Sequence, residues 1–132
     1  MFFEHTTSKI SKSSDLYSLT TNGFRGEAIS SISSVAKIKI SSSTNNDGLR
    51  NVLFIENGEI IKSAQEGGLK GTTISVSSLF YNVPARRKFL KSDSVELRHI
   101  ISEFTKQSLC SPNLSFSFKH NNKDLFVLAK SK

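Results

Sequence analysis

The sequence is organised around one stretch, residues 21–34, which reads Thr21-Asn22-Gly23-Phe24-Arg25-Gly26-Glu27-Ala28-Ile29-Ser30-Ser31-Ile32-Ser33-Ser34. Gly23 and Gly26 permit backbone conformations and close approaches that a side chain would prevent. Ile29 and Ile32 follow at helical spacing, so we expect a helix from about Gly26 to Ser34. The first N–H groups of such a helix lack intrahelical partners and face the glycine loop. The stretch therefore indicates either an ordinary turn or an anion site, usually one for phosphate.

The composition is that of one basic domain or part of one. The chain has 132 residues, of which 36% are hydrophobic, and 18 Lys and Arg stand against 11 Asp and Glu, a net charge of +7. This charge favours association with polyanions such as nucleic acid or nucleotide. No apolar run is long enough to cross a bilayer, and the first residues do not resemble a secretory signal.

The cysteine and histidine residues do not indicate a disulfide or a zinc site. Cys110 is the only cysteine, so it cannot form an internal disulfide, and we expect a buried reduced thiol. His5, His99 and His120 are scattered without the spacing of metal ligands, so we expect no structural zinc.

The first two thirds of the chain contain strand patterns around a clear hairpin signal. Residues 5–12 are polar and indicate a loop or lid, followed by a short helical turn that ends before Gly23. Alternating apolar residues predict strands over 36–41 and 72–78. Asn57-Gly58 predicts a tight turn between strands 52–56 and 59–63.

The last third combines two helices with a second hairpin. We expect a short helix over 85–90 and a longer one over 95–109, with Asp93 and Glu96 as its capping pair. Strands over 114–118 and 124–128 flank a turn at 120–122. Strands beside segregated helices predict an α+β sandwich, with one mixed sheet and helices on one face.

Three stretches, in order along the chain, resemble the MutL family of DNA mismatch-repair proteins, which belongs to the superfamily that includes gyrase and the histidine kinases. The first is His5-Thr6-Thr7-Ser8-Lys9-Ile10, similar to His-Ala-Thr-Ser-Lys-Ile in the family. The second is Gly23-Phe24-Arg25-Gly26-Glu27-Ala28 together with 31–35. The third is Gly71-Thr72-Thr73, followed by Leu79-Phe80-Tyr81-Asn82-Val83-Pro84-Ala85-Arg86-Arg87-Lys88-Phe89-Leu90. The resemblance implies that residues 1–132 are the C-terminal part of the family's N-terminal ATPase domain, a partial GHKL (Bergerat-type) sandwich.

The resemblance also implies an ATP site. Its lid would carry Thr7, Ser8 and Lys9. Its phosphate loop would consist of Gly23, Phe24, Arg25, Gly26, Glu27 and Ala28. The Thr72 hydroxyl would help to hold the adenine, whereas Thr73 should point to the opposite face of its strand. The alternatives are a solvated loop for Thr7 and Ser8, a surface charge for Arg25, and an ordinary strand residue for Thr72.

A basic cluster follows the third stretch. Four cations lie within six positions: Arg86, Arg87, Lys88 and Lys91. In the family, basic residues of the ATPase domain help to bind DNA, as sequence-independent phosphate contacts require. The alternative is a solvated helix face or a salt bridge to Glu96 or Asp93.

The family's catalytic glutamate, its Mg²⁺-binding asparagine and its Asp-x-Gly motif precede the lid, and no residue of this chain matches them. We therefore assign no catalytic or metal-binding residue and expect the chain alone not to hydrolyse ATP at a useful rate. ATP and Mg²⁺ would be cofactors of the full-length protein. The implied partners are DNA, a MutS-type mismatch sensor and a second ATPase domain, in a bacterial cytoplasm or at the nucleoid. The alternative is a non-catalytic remnant or split-gene product that acts at most as a basic DNA-contacting module.

Overall fold

A computed structural model describes Lys9, residues 11–19, Gly23 and residues 27–131. The chain divides into two compact units, one ending at Lys88 and the other beginning at Phe89, and each contains its own sheet. That both units belong to one ATPase domain stays a prediction.

The first unit contains a 3-10 turn, two short helices and four strands. The 3-10 turn is Ser13–Ser18, the helices are α1 (Ala28–Ser33) and α2 (Pro84–Lys88), and the strands are β1 (Lys37–Ser43), β2 (Leu49–Glu56), β3 (Glu59–Gly67) and β4 (Gly71–Ser77). These elements confirm the helices, strands and hairpin expected from the pattern of the sequence, with shifts of a few residues at their ends.

A single carboxylate organises the 3-10 turn. Asp15 Oδ2 accepts hydrogen bonds from the backbone N–H groups of Ser11 and Lys12, both at 2.9 Å. These bonds favour the charged carboxylate and lower the pKa of Asp15. The turn is thus stabilised by Asp15 in its ionised form.

The four strands form one antiparallel sheet in the order β3-β2-β1-β4. The class α+β is confirmed, but the pairings among the described residues are antiparallel rather than mixed. Short segments (44–48 and 57–58) join the neighbours β1, β2 and β3, whereas parallel neighbours need a crossover of a dozen or more residues; β4, which follows β3 after residues 68–70, pairs antiparallel with β1. Asn57 (φ 51°) and Gly58 (φ 76°) form the expected left-handed hairpin turn.

The register places apolar side chains on one face of this sheet. Ile38 of β1 lies opposite Ile55 of β2 and Val76 of β4. Ile38 and Ile55 are 2% and 0% exposed, whereas Val76 is 48% exposed. Burial on this face is therefore deepest at the two central strands. The face that carries Ile38 and Ile55 is called the apolar face below.

The second unit is a helix and a hairpin that share an aromatic cluster. The helix α3 is Asp93–Cys110, and the strands β5 (Phe116–His120) and β6 (Lys123–Leu128) pair antiparallel. Phe104 of α3 lies 6.1, 5.2 and 5.7 Å, between ring centroids, from Phe116, Phe118 and Phe126 of the hairpin. These ring contacts join the helix to the hairpin within the unit.

Two expectations for α3 are wrong. The residue at the N-cap is Ser92, and the Glu96 carboxylate accepts a hydrogen bond from the backbone N–H of Lys91 at 2.8 Å instead of pairing with Asp93. Cys110 is an exposed free thiol, because it is the last residue of the helix rather than part of its apolar side. Among the described helices, none is long and apolar enough to span a bilayer.

Candidate functional site

The glycine stretch is described at Gly23 and from Glu27 onward. Gly23 is exposed, Glu27 immediately precedes α1, and Ala28 is the exposed first residue of that helix. The Glu27 carbonyl accepts hydrogen bonds from the Ser31 backbone N–H and the Ser30 hydroxyl, both at 2.9 Å. The helix thus begins where the sequence predicts. Of the expected nucleotide contacts, Thr7, Ser8, Phe24, Arg25 and Gly26 lie outside the described residues, and Lys9 is exposed.

Thr72 and Thr73 lie on opposite faces of β4, as expected from strand geometry. Thr72 faces Ser42 on the apolar face, and the two hydroxyl oxygens are 2.7 Å apart. Thr73 lies opposite Ser41, and its hydroxyl accepts a hydrogen bond from Arg50 at 3.1 Å. Since Thr72 is exposed and a hydroxyl pair has donor and acceptor capacity left over, Thr72 can engage the edge of a purine.

Thr72 belongs to a row of four polar side chains that crosses the sheet at one end of the apolar face. The row, called the polar row below, consists of Gln65, Asn51, Ser42 and Thr72, one from each strand. Gln65 Nε2 donates to Asn51 Oδ1 at 3.3 Å. A pocket of about 310 Å³ is lined by three of these side chains and the turn after β1. Ser42, Asn51 and Gln65 were not identified from the sequence. Alternation within β1 and β2 would have placed Ser42 and Asn51 on this face, but the irregularity in the β2–β3 register breaks the alternation that would have located Gln65.

Arg50 anchors β4 from the opposite face. Its Nη2 atom donates to the Ser41 carbonyl at 2.8 Å and to the Gly71 carbonyl at 3.1 Å, in addition to the Thr73 hydroxyl. A Cβ atom at Gly68 would collide with Arg50 Cδ, so any other residue there would displace the Arg50 side chain. Arg50 thus holds the residues on both sides of Thr72 and was not identified from the sequence.

The nearby carboxylate of Glu66 has a structural role. Lys39 Nζ donates to Glu66 Oε2 at 2.7 Å, and this hydrogen bond holds the pKa of Glu66 below its ordinary value. Glu66 is therefore ionised at neutral pH and poorly suited to accept and release a proton during a reaction.

The basic cluster is exposed. Arg86, Arg87 and Lys88 form the last turn of α2, and Lys91 is in the second unit. Within the part of the chain that the structure describes, none of the four side chains has an ion-pair partner. Within the described part of the second unit, the Lys91 side chain forms no salt bridge with Glu96 or Asp93. Cations in the last turn also interact favourably with the helix dipole.

The end of α1 and Thr72 lie at opposite ends of β1. The end of α1 bonds to the Asn57–Gly58 turn, beside the start of β1, whereas Thr72 pairs with Ser42 near the end of β1.

Comparisons with known proteins identify the fold of the chain. No family model matches the chain. The ATPase domain of Aquifex aeolicus MutL complexed with ADP has a TM-score of 0.75 and 30% identity, covering 92% of this chain and 48% of that one. The N-terminal domain of a DNA repair protein has a TM-score of 0.73 and 25% identity, with coverage of 98% and 38%. The fold is therefore that of a GHKL-type ATPase domain.

The curated relatives narrow the class to a family. MutL of Christiangramia forsetii is 50% identical over 127 residues, which are 96% of this chain and 21% of that protein. MutL of Anoxybacillus flavithermus is 41% identical over 125 residues, 95% of this chain and 20% of that protein. The chain belongs to the MutL family of DNA mismatch-repair proteins. It spans about a fifth of the length of the curated relatives that it matches.

Proposed function

We propose that this chain serves as part of the ATP-binding switch of a MutL-type DNA mismatch-repair protein. The observation that carries the proposal is its similarity, over 92% of its length, to a MutL ATPase domain complexed with ADP. In the proposed mechanism, nucleotide binding closes the lid and promotes association of two ATPase domains. This association would couple mismatch recognition by a MutS-type sensor to the subsequent removal of a DNA strand.

The residues available for the nucleotide have distinct roles in this proposal. Backbone N–H groups from Arg25 to Ala28 bind the phosphates, with Gly23, Phe24 and Gly26 shaping the loop, while Thr7, Ser8 and Lys9 cover them. The Thr72 hydroxyl, held by Ser42, bonds the edge of the adenine. Thr72 is exposed on the apolar face of the sheet, within the polar row. This position supports a contact between its hydroxyl and an adenine.

Mg²⁺ is a cofactor of the full-length protein in this proposal. Within the described residues, no group of three His, Cys, Asp or Glu side chains could hold a metal ion. We assign no residue of this chain to Mg²⁺ binding.

A chimera tests the proposed function. The matched 127 residues of Christiangramia forsetii MutL are replaced by the corresponding residues of this chain. We expect the chimera to bind ADP and hydrolyse ATP within about tenfold of the unmodified protein, a difference of about 1.4 kcal/mol. Calorimetry and phosphate release measure the two activities. A chimera that folds by circular dichroism but binds no ADP would contradict the proposal.

A second candidate function, a basic DNA-contacting module without nucleotide, is favoured by the exposed last turn of α2. If Arg86, Arg87 and Lys88 contact phosphates, changing all three to alanine will reduce the slope of log K against log salt by about 2.7, or about 0.9 for each contact. Fluorescence anisotropy of a labelled duplex over a salt series measures this slope.

A matched control removes the same charge from paired cations. Lys37, Lys106 and Lys119 bond to Glu56, Glu103 and Asp124 at 3.0, 2.6 and 3.2 Å, so their replacement by alanine should change the slope less. Equal slopes in the two triple variants would mean that net charge, and not the basic turn, governs DNA binding. DNA binding by a chimera that takes up no ADP would favour the second candidate.

A further inference from the structure

Three consecutive backbone carbonyls at the end of α1 accept hydrogen bonds from outside the helix. They belong to Ser33, Ser34 and Val35, and their donors are the Gly58 backbone N–H at 3.0 Å, the Asn82 side-chain amide at 2.8 Å and the Phe80 backbone N–H at 2.7 Å. Carbonyls at a helix C-terminus have no intrahelical partners, so they need such donors when they are not in water. The β2–β3 turn and the loop between β4 and α2 thus jointly cap α1.

The side chain of Asn57 holds this cap together. Its Oδ1 atom accepts hydrogen bonds from the Tyr81 hydroxyl at 2.7 Å and from Asn82 Nδ2 at 3.0 Å. The same Asn82 nitrogen donates to the Ser34 carbonyl, so Asn57 orients the amide that caps the helix. We call Asn57, Tyr81 and Asn82 the carboxamide clamp.

The position of α1 depends on contacts of this kind, because the helix is short. It has six residues, far fewer than the 12–15 that an isolated helix needs to be even marginally stable in water. Ser33, the last residue of α1, and Ala36, three positions further on, are both 0% exposed. The end of α1 is therefore packed and capped, while Ala28 at its start is exposed.

The loop that supplies two of the donors has unusual backbone conformations. Ser78 and Phe80 have positive φ angles of 52° and 59°, although neither is glycine. Such conformations are strained for residues other than glycine and persist only where surrounding contacts impose them. The Phe80 bond to Val35 and the clamp bonds of Tyr81 and Asn82 are contacts of this kind.

We propose that Asn57 and Asn82 are positioning residues for α1, whose first residues, Glu27 and Ala28, belong to the proposed phosphate loop. A six-residue helix is about 9 Å long, so its capped end lies within two turns of Glu27 and Ala28 at its start. Neither residue is assigned a contact with nucleotide. The inference rests on the proposed function only for the identity of the ligand, since the clamp itself is a property of the chain.

The first test measures the helix without any ligand. Asn57→Gly removes the acceptor but keeps the turn, because glycine readily adopts a φ of 51°. In the full 132-residue chain we expect amide hydrogen exchange over residues 27–36 to rise about tenfold in Asn57→Gly and in Asn82→Ala. Asn57→Asp keeps both an acceptor oxygen and a residue suited to the turn, so exchange should stay near that of the unchanged chain.

The second hairpin supplies a matched control. Asn121 has a φ of 48° in the β5–β6 turn, and no hydrogen bond of its side chain is formed within the described residues. Asn121→Gly therefore repeats the substitution in the same backbone conformation without a clamp, and exchange over 27–36 should not change. If Asn57→Gly leaves this exchange unchanged, the clamp does not hold α1 and the proposal is overturned.

The second test separates positioning from general loss of structure. We expect Asn57→Gly to weaken ADP binding about fivefold while leaving adenosine binding unchanged, because the clamp supports the phosphate segment and not Thr72. Equal weakening of both would indicate a merely structural role and would contradict the proposal. If the unchanged chain binds no ADP, the proposed function and the positioning of phosphate both fail, whereas the exchange experiment still decides whether the clamp holds α1.

Discussion

Replacing Ile55 by alanine is expected to lower the free energy of unfolding of the first unit by about 2–5 kcal/mol. Ile55 is 0% exposed and lies opposite Ile38 in the sheet. The fully buried apolar residues of the described part of the unit are Ala36, Ile38, Val52 and Ile55. Since native domains are stable by about 5–15 kcal/mol, a cavity in so small a core removes a large share of the total.

Urea denaturation followed by circular dichroism measures this loss, and Ile61→Ala is the matched control. Ile61 is 59% exposed and lies at the irregularity in the β2–β3 register, with no residue directly opposite on β2. We expect its replacement to cost less than about 0.5 kcal/mol, as is usual for surface sites. If the two variants lose the same stability, Ile55 is not at the centre of the core.

Replacing Thr72 by valine is expected to weaken ADP binding about five- to thirtyfold. Valine has nearly the shape of threonine but lacks the hydroxyl that would bond the adenine, and it leaves the Ser42 hydroxyl without its partner 2.7 Å away. Loss of one such hydrogen bond costs about 1–2 kcal/mol. Calorimetric titration with ADP, in the Christiangramia forsetii chimera described above, measures the change.

Thr73→Val provides the control on the neighbouring residue. The Thr73 hydroxyl accepts a hydrogen bond from Arg50 on the opposite face, so its removal should lower the stability of the unit and leave ADP affinity unchanged. Melting temperatures measured on the same samples would separate the two effects. If Thr73→Val weakens ADP binding more than Thr72→Val does, the adenine contact lies on the face of β4 opposite to the one proposed.

Hydrogen bonds with Ser42 and Arg50 restrain Thr72 and its two neighbours. Ser42 bonds the Thr72 hydroxyl on one face, while Arg50 bonds the Gly71 carbonyl and the Thr73 hydroxyl on the other. The residue at the centre thus has neighbours restrained on both sides, which is the arrangement that a preorganised ligand contact requires.

The sequence by itself determined the local elements and the opposite directions of Thr72 and Thr73. Asn57-Gly58 specified its hairpin because a turn with positive φ angles favours these two residues. The helical spacing after Gly26 likewise predicted α1, and alternation predicted β1 and β4. These features depend on interactions between residues a few positions apart, so the local sequence is enough to predict them.

Only the tertiary structure decided which distant residues meet. Although residues 68–70 alone separate β3 from β4, β4 pairs with β1 at the other edge of the sheet. That pairing brings Ser42 to Thr72 and Arg50 to Gly71, and a separate hydrogen bond joins Asn57 to Asn82. The physical reason is that non-local pairing is selected by burial of the whole apolar face, which no short stretch of sequence encodes.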